Sequence, residues 1–290
     1  MKLQGCYTAL VTPFRNGVVD YPAMEALLER QIAGGVAGVV PVGTTGESPT
    51  LNMEEHIDVI RFVAEKVAGR CQVIAGTGGN STEEAIRLTK AVADMQVDAT
   101  LQVTPYYNKP SSEGLYRHFT TVAECTKLPI ILYNVPGRTG KEIPLDVVAR
   151  LAKHPQVAAI KEAAGSVERV NAIRRICDLT ILSGDDSLAL PMMCVGASGV
   201  ISVLSNVAPE AYSEMCRLAL AGDYTKAQEI HRRFYPLAHD LFLEANPIPV
   251  KAAMAAMGLM AEEYRLPLCE MGAANRETLM NTMRSLGLLQ

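Results

Sequence analysis

Eight short apolar runs, separated by stretches of helical periodicity, constrain this chain more than any other feature. They are Tyr7 to Val11, Gly38 to Val42, Val73 to Ala75, Ala99 to Val103, Ile130 to Tyr133, Val157 to Ile160, Thr180 to Ser183 and Gly199 to Val203. Most are rich in Val, Ile and Ala and do not alternate cleanly with polar residues, as expected of parallel strands covered on both faces. Between them, Met53 to Val67 carries an apolar stripe at Ile57, Val59, Ile60, Val63 and Val67, and Ser81-Thr82-Glu83-Glu84 has the form of a capping box. Leu115 to Cys125, Pro144 to Ala152 and Val167 to Ile176 supply further helical stretches. Strand and helix alternate every ~20 to 35 residues, which predicts βα units, and eight of them fit an α/β fold closed as a (β/α)8 TIM barrel. A doubly wound open sheet is the competing architecture, but no glycine fingerprint follows the first strand. Beyond the eighth run, roughly the last 70 residues read as helix throughout, interrupted most clearly at Asn246-Pro247-Ile248-Pro249. The expected organisation is a barrel over residues 1–222 and a C-terminal helical bundle over 223–290, packed together because no flexible linker divides them.

Composition narrows the function classes. Hydrophobic residues make up 49% and charged residues 20%, ample for a core, and a net charge of -4 offers no footprint for nucleic acid. The seven cysteines are scattered without a CxxC pair and the five histidines are spread as thinly, so buried free thiols are expected and no zinc or other metal. The N-terminal stretch lacks a signal-peptide pattern, and no apolar run reaches membrane-spanning length, which points to a cytoplasmic enzyme without a membrane partner.

Barrel active sites lie at the C-terminal ends of the strands, and three segments there carry reactive groups. The sixth run ends in Lys161; period-two alternation places Val157, Ala159 and Lys161 on one face. An amine held there and deprotonated attacks ketones, although a lysine at a strand end also snorkels to water. The preceding run ends in Tyr133, beside Lys161 if the sheet is sequential, with a phenol able to move a proton. Arg138 in the following loop has the fork that binds a carboxylate. After the second run, Gly43-Thr44-Thr45-Gly46-Glu47 combines turn-forming glycines with hydroxyls, suited to a small anion and equally to an ordinary tight turn.

These residues are ordered as in a known family. Thr8 to Phe14, Gly43 to Glu47, Tyr133 to Thr139, Ile160 to Ala163, Ser183 to Asp186 and Asn246 to Lys251 together resemble the dihydrodipicolinate synthase and N-acetylneuraminate lyase superfamily of Schiff-base aldolases, over essentially the whole chain. Thr44-Thr45 together with Arg138 resembles the synthase branch. That resemblance implies condensation of pyruvate with aspartate semialdehyde, an early step of the diaminopimelate route to lysine, without a cofactor. Lys161 is then the Schiff-base residue, and Tyr133, Thr44 and Tyr107 form a proton relay with Tyr107 supplied by a neighbouring subunit of a homotetramer. Thr45, Arg138, Gly184 and Ile201 are the implied substrate-binding positions. Feedback by lysine is implied at Ser48, Pro49, His56, Asn80, Glu84 and Tyr106, with Met53 standing where the family often has histidine. A sugar-acid lyase would form the same imine, and a catalytically silent barrel that binds a metabolite is the alternative from another class.

Overall fold

The computed structural model describes residues 2–289. Eight parallel strands close into a barrel: β1 (Gly5–Ala9), β2 (Gly38–Val40), β3 (Gln72–Gly76), β4 (Ala99–Val103), β5 (Ile130–Asn134), β6 (Val157–Glu162), β7 (Thr180–Ser183) and β8 (Gly199–Ser202). Each strand pairs with its sequence neighbours, and β8 closes on β1 through Gly5 opposite Gly199. The expected TIM barrel is therefore present. Its strands are covered by α1 (Tyr21–Ala33), α2 (Met53–Val67), α3 (Thr82–Ala91), α4 (Ser112–Glu124), α5 (Leu145–Leu151), α6 (Val167–Arg174), α7 (Ala189–Cys194) and α8 (Pro209–Leu220). α9 (Tyr224–Asp240), α10 (Ile248–Ala256) and α11 (Ala273–Ser285) complete the chain.

Local chemistry starts these helices where the sequence indicates, with one change. The full capping box forms at α2: Asn52 accepts from the Glu54 and Glu55 N–H groups, and Glu55 accepts from the Asn52 N–H. At Ser81 only the cap itself forms, the hydroxyl accepting from the Glu84 N–H. The Glu84 side chain turns away toward Gly79 and lines a small cleft.

Two further expectations are corrected. Val157 does not share a face with Lys161: β6 shifts register against β5 between Val157 and Ala159, so Val157 packs among the helix-facing residues while Ala159 lies in the barrel interior. The extra residue is a β-bulge, which breaks a period-two count made across it. Nor is the C-terminal region helical throughout. Helix is absent from Met257 to Gly272, where Gly258 adopts φ +73° and Leu266 precedes Pro267, a pair of helix-stopping features. This segment turns its side chains to the barrel: Arg265 pairs both terminal guanidinium nitrogens with Glu55 and bonds the carbonyls of Thr50 and Gly17, and Glu263 accepts from the Asn16 and Gly17 N–H groups in the Phe14–Val19 hairpin.

The interior of the barrel is a packed layer that includes Tyr7, Ala9, Val40, Ile74, Leu101, Ile131, Leu182 and Ile201. It fills the lower barrel, leaving the mouth at the C-terminal strand ends as the place where polar groups meet.

Candidate active site

Lys161 and Tyr133 are register partners on β6 and β5, and the lysine Nζ lies 4.2 Å from the centroid of the tyrosine ring. Both are buried, at 6% exposure each, so the amine sits on the floor of the mouth rather than reaching to open water. Its direction is fixed by its neighbour. Glu162 points to the helix side, where Asn134 donates to both carboxylate oxygens (2.8 and 3.1 Å), Ala164 N–H adds a bond of 3.0 Å and Arg169 Nε one of 2.8 Å. Because successive strand residues face opposite sides, anchoring Glu162 outward holds Lys161 inward. Burial pushes the Glu162 carboxyl up, with Arg169 and Asn134 opposing that rise. Gly184, just beyond β7, lets the lysine lie flat: a Cβ there would stand 3.0 Å from Lys161 Cε and 2.5 Å from Ala163 Cβ.

Above this floor is a cavity of about 210 Å³ whose wall includes Gly43, Thr44, Tyr133 and Arg138. The Gly43–Ser48 loop is a tight turn in which Gly43 carbonyl accepts from the Gly46 and Ser48 N–H groups. Gly46 is demanded by close approach, since a Cβ would meet Val42 N at 2.9 Å. The N–H groups of Thr44 and Thr45 have no partner among the described residues, and the Thr45 hydroxyl accepts from Asn246 Nδ2 at 3.0 Å. Two free N–H groups and two hydroxyls in consecutive residues give this loop the donors to hold a small anion. Val42, at φ +54° despite its branched side chain, turns the chain into this loop. Arg138 lies within a single helical turn, Pro136–Thr139, and is exposed at the rim, with Nη2 donating to the Asn246 carbonyl at 3.1 Å.

The remaining candidates divide. Gly184 touches Lys161, while Ile201 is fully buried within β8 among the interior residues. Tyr107 stands outside its own mouth, 91% exposed and at φ +71°. Ser48, Pro49, His56, Glu84 and Tyr106 line a second cleft of about 170 Å³, and Asn80 Nδ2 bonds the Tyr106 carbonyl at its edge. Ser48, Pro49, Gly78 and Tyr106 also belong to the wall of the first cavity, so the two spaces share a partition. His56 Nε2 lies 2.7 Å from the Gly76 carbonyl and must donate to it; burial lowers its pKa, so the ring is neutral with Nδ1 left as an acceptor.

Sequence reasoning missed several groups that act on this site. Asp185 is largely buried beside Lys161; burial raises its pKa, the lysine charge opposing, and its Oδ2 has no partner among the described residues. Lys251 is fully buried with Nζ 2.5 Å from Glu47 Oε1 and 4.4 Å from the Phe14 ring centroid. A lysine followed by alanines on a helix carries no signal of such a role by itself; its place with Asn246 in an otherwise apolar proline-rich segment does.

Comparison with known proteins agrees with this geometry. Residues 2–286 match the model of the dihydrodipicolinate synthetase family. A 4-hydroxy-tetrahydrodipicolinate synthase of Methylococcus capsulatus is 51% identical over 99% of this chain and 100% of its own. The chloride-inhibited dihydrodipicolinate synthase of Acinetobacter baumannii complexed with pyruvate superposes with a TM-score of 0.96 at 46% identity, covering 99% of this chain and 100% of that one. The enzyme of Cyanidioschyzon merolae with lysine bound gives 0.95 at 42% identity, over 99% of each chain. With the barrel, the strand-end lysine and the threonine loop all in place, the chain belongs to the dihydrodipicolinate synthetase family.

Proposed function

We propose that the chain is a lyase that condenses pyruvate with L-aspartate 4-semialdehyde to 4-hydroxy-tetrahydrodipicolinate, in diaminopimelate and lysine biosynthesis, through a Schiff base on Lys161. The observation that carries this is the register pairing of a buried lysine with a tyrosine under a cavity walled by Thr44 and Arg138. The Lys161 amine adds to the C2 carbonyl of pyruvate, and the carbinolamine loses water as the Tyr133 phenol passes it a proton. The pyruvate carboxylate rests on the Thr44 and Thr45 N–H groups and hydroxyls. Loss of a methyl proton gives the enamine, whose carbon attacks the aldehyde of the second substrate, and the substrate's own amine then displaces Lys161 and closes the ring. One water is released for each product formed. Arg138 takes the semialdehyde carboxylate in a bidentate grip.

Tyr107 completes the relay of a neighbouring subunit in a homotetramer, a placement supported by its outward exposure. Lysine binds the second cleft as inhibitor, its ammonium between Glu84 and the His56 Nδ1 acceptor; the lysine-bound relative supports this assignment. The 223–290 unit buttresses the mouth of the 1–222 barrel. The protein works in the cytoplasm, and no helix among the described residues is long and apolar enough to cross a membrane.

Two measurements test the chemistry. Borohydride with pyruvate must leave a reduced adduct on Lys161, and a coupled assay must show turnover only when aspartate semialdehyde is also present. Labelling elsewhere discards the mechanism. An adduct without semialdehyde turnover, joined by cleavage of a sugar acid, moves the enzyme to the lyase branch.

A further inference from the structure

The proline-rich stretch that leads into α10 and forms its first turn contributes two polar side chains, Asn246 and Lys251, that reach the loop after β2. Asn246 is 5% exposed and touches both groups assigned to substrate carboxylates: its Nδ2 donates to Thr45 Oγ1 at 3.0 Å and its carbonyl accepts from Arg138 Nη2 at 3.1 Å. One turn into α10, Lys251 grips Glu47 at the other end of the same loop and bonds the Thr12 carbonyl at 3.2 Å. The Glu47 Oε2 atom accepts in turn from the Arg265 N–H.

We infer that Asn246 is a positioning residue for pyruvate capture, setting the direction of the Thr45 hydroxyl, and this rests on the carboxylate role assigned to that loop. A hydroxyl that accepts from an amide N–H keeps its own proton for another acceptor. Thr45 makes no other side-chain hydrogen bond among the described residues, so its O–H is left to donate to the bound carboxylate. The amide oxygen of Asn246 is buried with no partner among the described residues, whereas a side chain kept only to tie two segments together ordinarily satisfies both ends. An aspartate at this position has no N–H to give. It draws the Thr45 proton to itself and adds a negative charge beside the bound carboxylate. Because Arg138 bonds the backbone carbonyl, side-chain substitutions spare that contact, and the effect concentrates on the first substrate.

The test compares wild type, Asn246→Ala, Asn246→Asp, Thr45→Val and the Asn246→Ala/Thr45→Val double variant. Readouts are half-saturation by pyruvate in borohydride trapping, the KM for each substrate, and the melting temperature. Asn246→Asp is expected to raise pyruvate half-saturation about 50-fold and Asn246→Ala about 5-fold, with the label still on Lys161 and the semialdehyde KM changed less. The double variant is expected to match Thr45→Val alone for pyruvate. Equal losses of kcat and melting temperature in both Asn246 variants, with pyruvate half-saturation unchanged, would overturn the inference. So would single effects that multiply in the double variant. Failure of the wild type to label at Lys161 sinks the Schiff-base assignment instead, and so is distinguishable.

Discussion

The floor and the wall of the barrel mouth are held by different means. On the floor, Lys161 and Tyr133 are set by the hydrogen-bonded ladder between adjacent strands, and their surroundings come from consecutive βα units. On the wall, the Gly43–Glu47 loop is fastened by groups more than 200 positions away: the side chains of Asn246 on Thr45 and Lys251 on Glu47, and the backbone N–H of Arg265 on Glu47. Ladder placement distributes the work over many backbone bonds, so a floor residue can be exchanged without loosening the floor. Wall placement concentrates it in a few buried polar contacts, and there a single substitution is felt by the whole loop.

The sharpest contrast is at Lys161 itself. Lys161→Ala is expected to abolish pyruvate trapping and lower kcat on the order of 10³-fold or more, because among the described residues no other lysine lies over the ring of Tyr133, which walls the cavity. Its melting curve should stay close to wild type, since its side chain makes no hydrogen bond among the described residues. A large stability loss would mean that the floor depends on the side chain after all.

Lys251→Met inverts the pattern. It leaves the fully buried Glu47 carboxylate without its cation, at a cost of about 3–5 kcal/mol in denaturant unfolding. Adding Glu47→Gln should recover much of that, because the remaining group is neutral. If the single variant is as stable as wild type, the loop is not fastened from the C-terminal segment.

A pH experiment separates a third tie, between the loops after β7 and β8. Asp186 Oδ2 accepts from the Val203 and Leu204 N–H groups at 2.9 Å each, while Oδ1 is buried without a partner among the described residues. Desolvation raises the carboxyl to about 6, the two N–H bonds and Ser202 opposing. A folded-state pKa above the unfolded one means the native protein binds the extra proton. The resulting stabilisation is full below about pH 4 and is lost as pH rises through about 6, amounting to at most about 3 kcal/mol. Asp186→Asn should therefore flatten the stability profile between pH 4 and 6. An unchanged slope in that window rejects Asp186 as its source.

The same division explains what the sequence discloses. Eight apolar runs and the Ser81 cap before α3 are local signals, and the barrel follows from them. Lys161 and Tyr133 were legible because both close such runs, and a sequential sheet must put them side by side. The bulge at Ala158 left no mark, since an extra alanine in an apolar run changes neither its composition nor its length enough to be noticed. The non-helical stretch from 257 to 272 was hidden because its cause is tertiary: Glu263 and Arg265 have partners on the hairpin and α2 that no local pattern names. Asn246 and Lys251 stood in a recognisable motif, but their targets, Thr45 and Glu47, become visible only when the chain is closed.

Tyr107 offers the smallest and most selective break. Its side chain is 91% exposed and makes no hydrogen bond among the described residues, so Tyr107→Phe should leave the unfolding free energy within about 0.5 kcal/mol. On the relay role proposed for Tyr107, loss of its hydroxyl should nonetheless lower kcat about 10-fold or more, and the deficit should appear only where subunits meet. Mixing Tyr107→Phe with an Arg138→Ala variant under conditions of subunit exchange places one intact mouth across some interfaces. Activity recovered beyond the sum of the two parents requires the phenol to act on a partner. If mixing recovers nothing while exchange is verified by mass, Tyr107 serves its own chain or none, and the outward φ of +71° has to be explained by the loop alone.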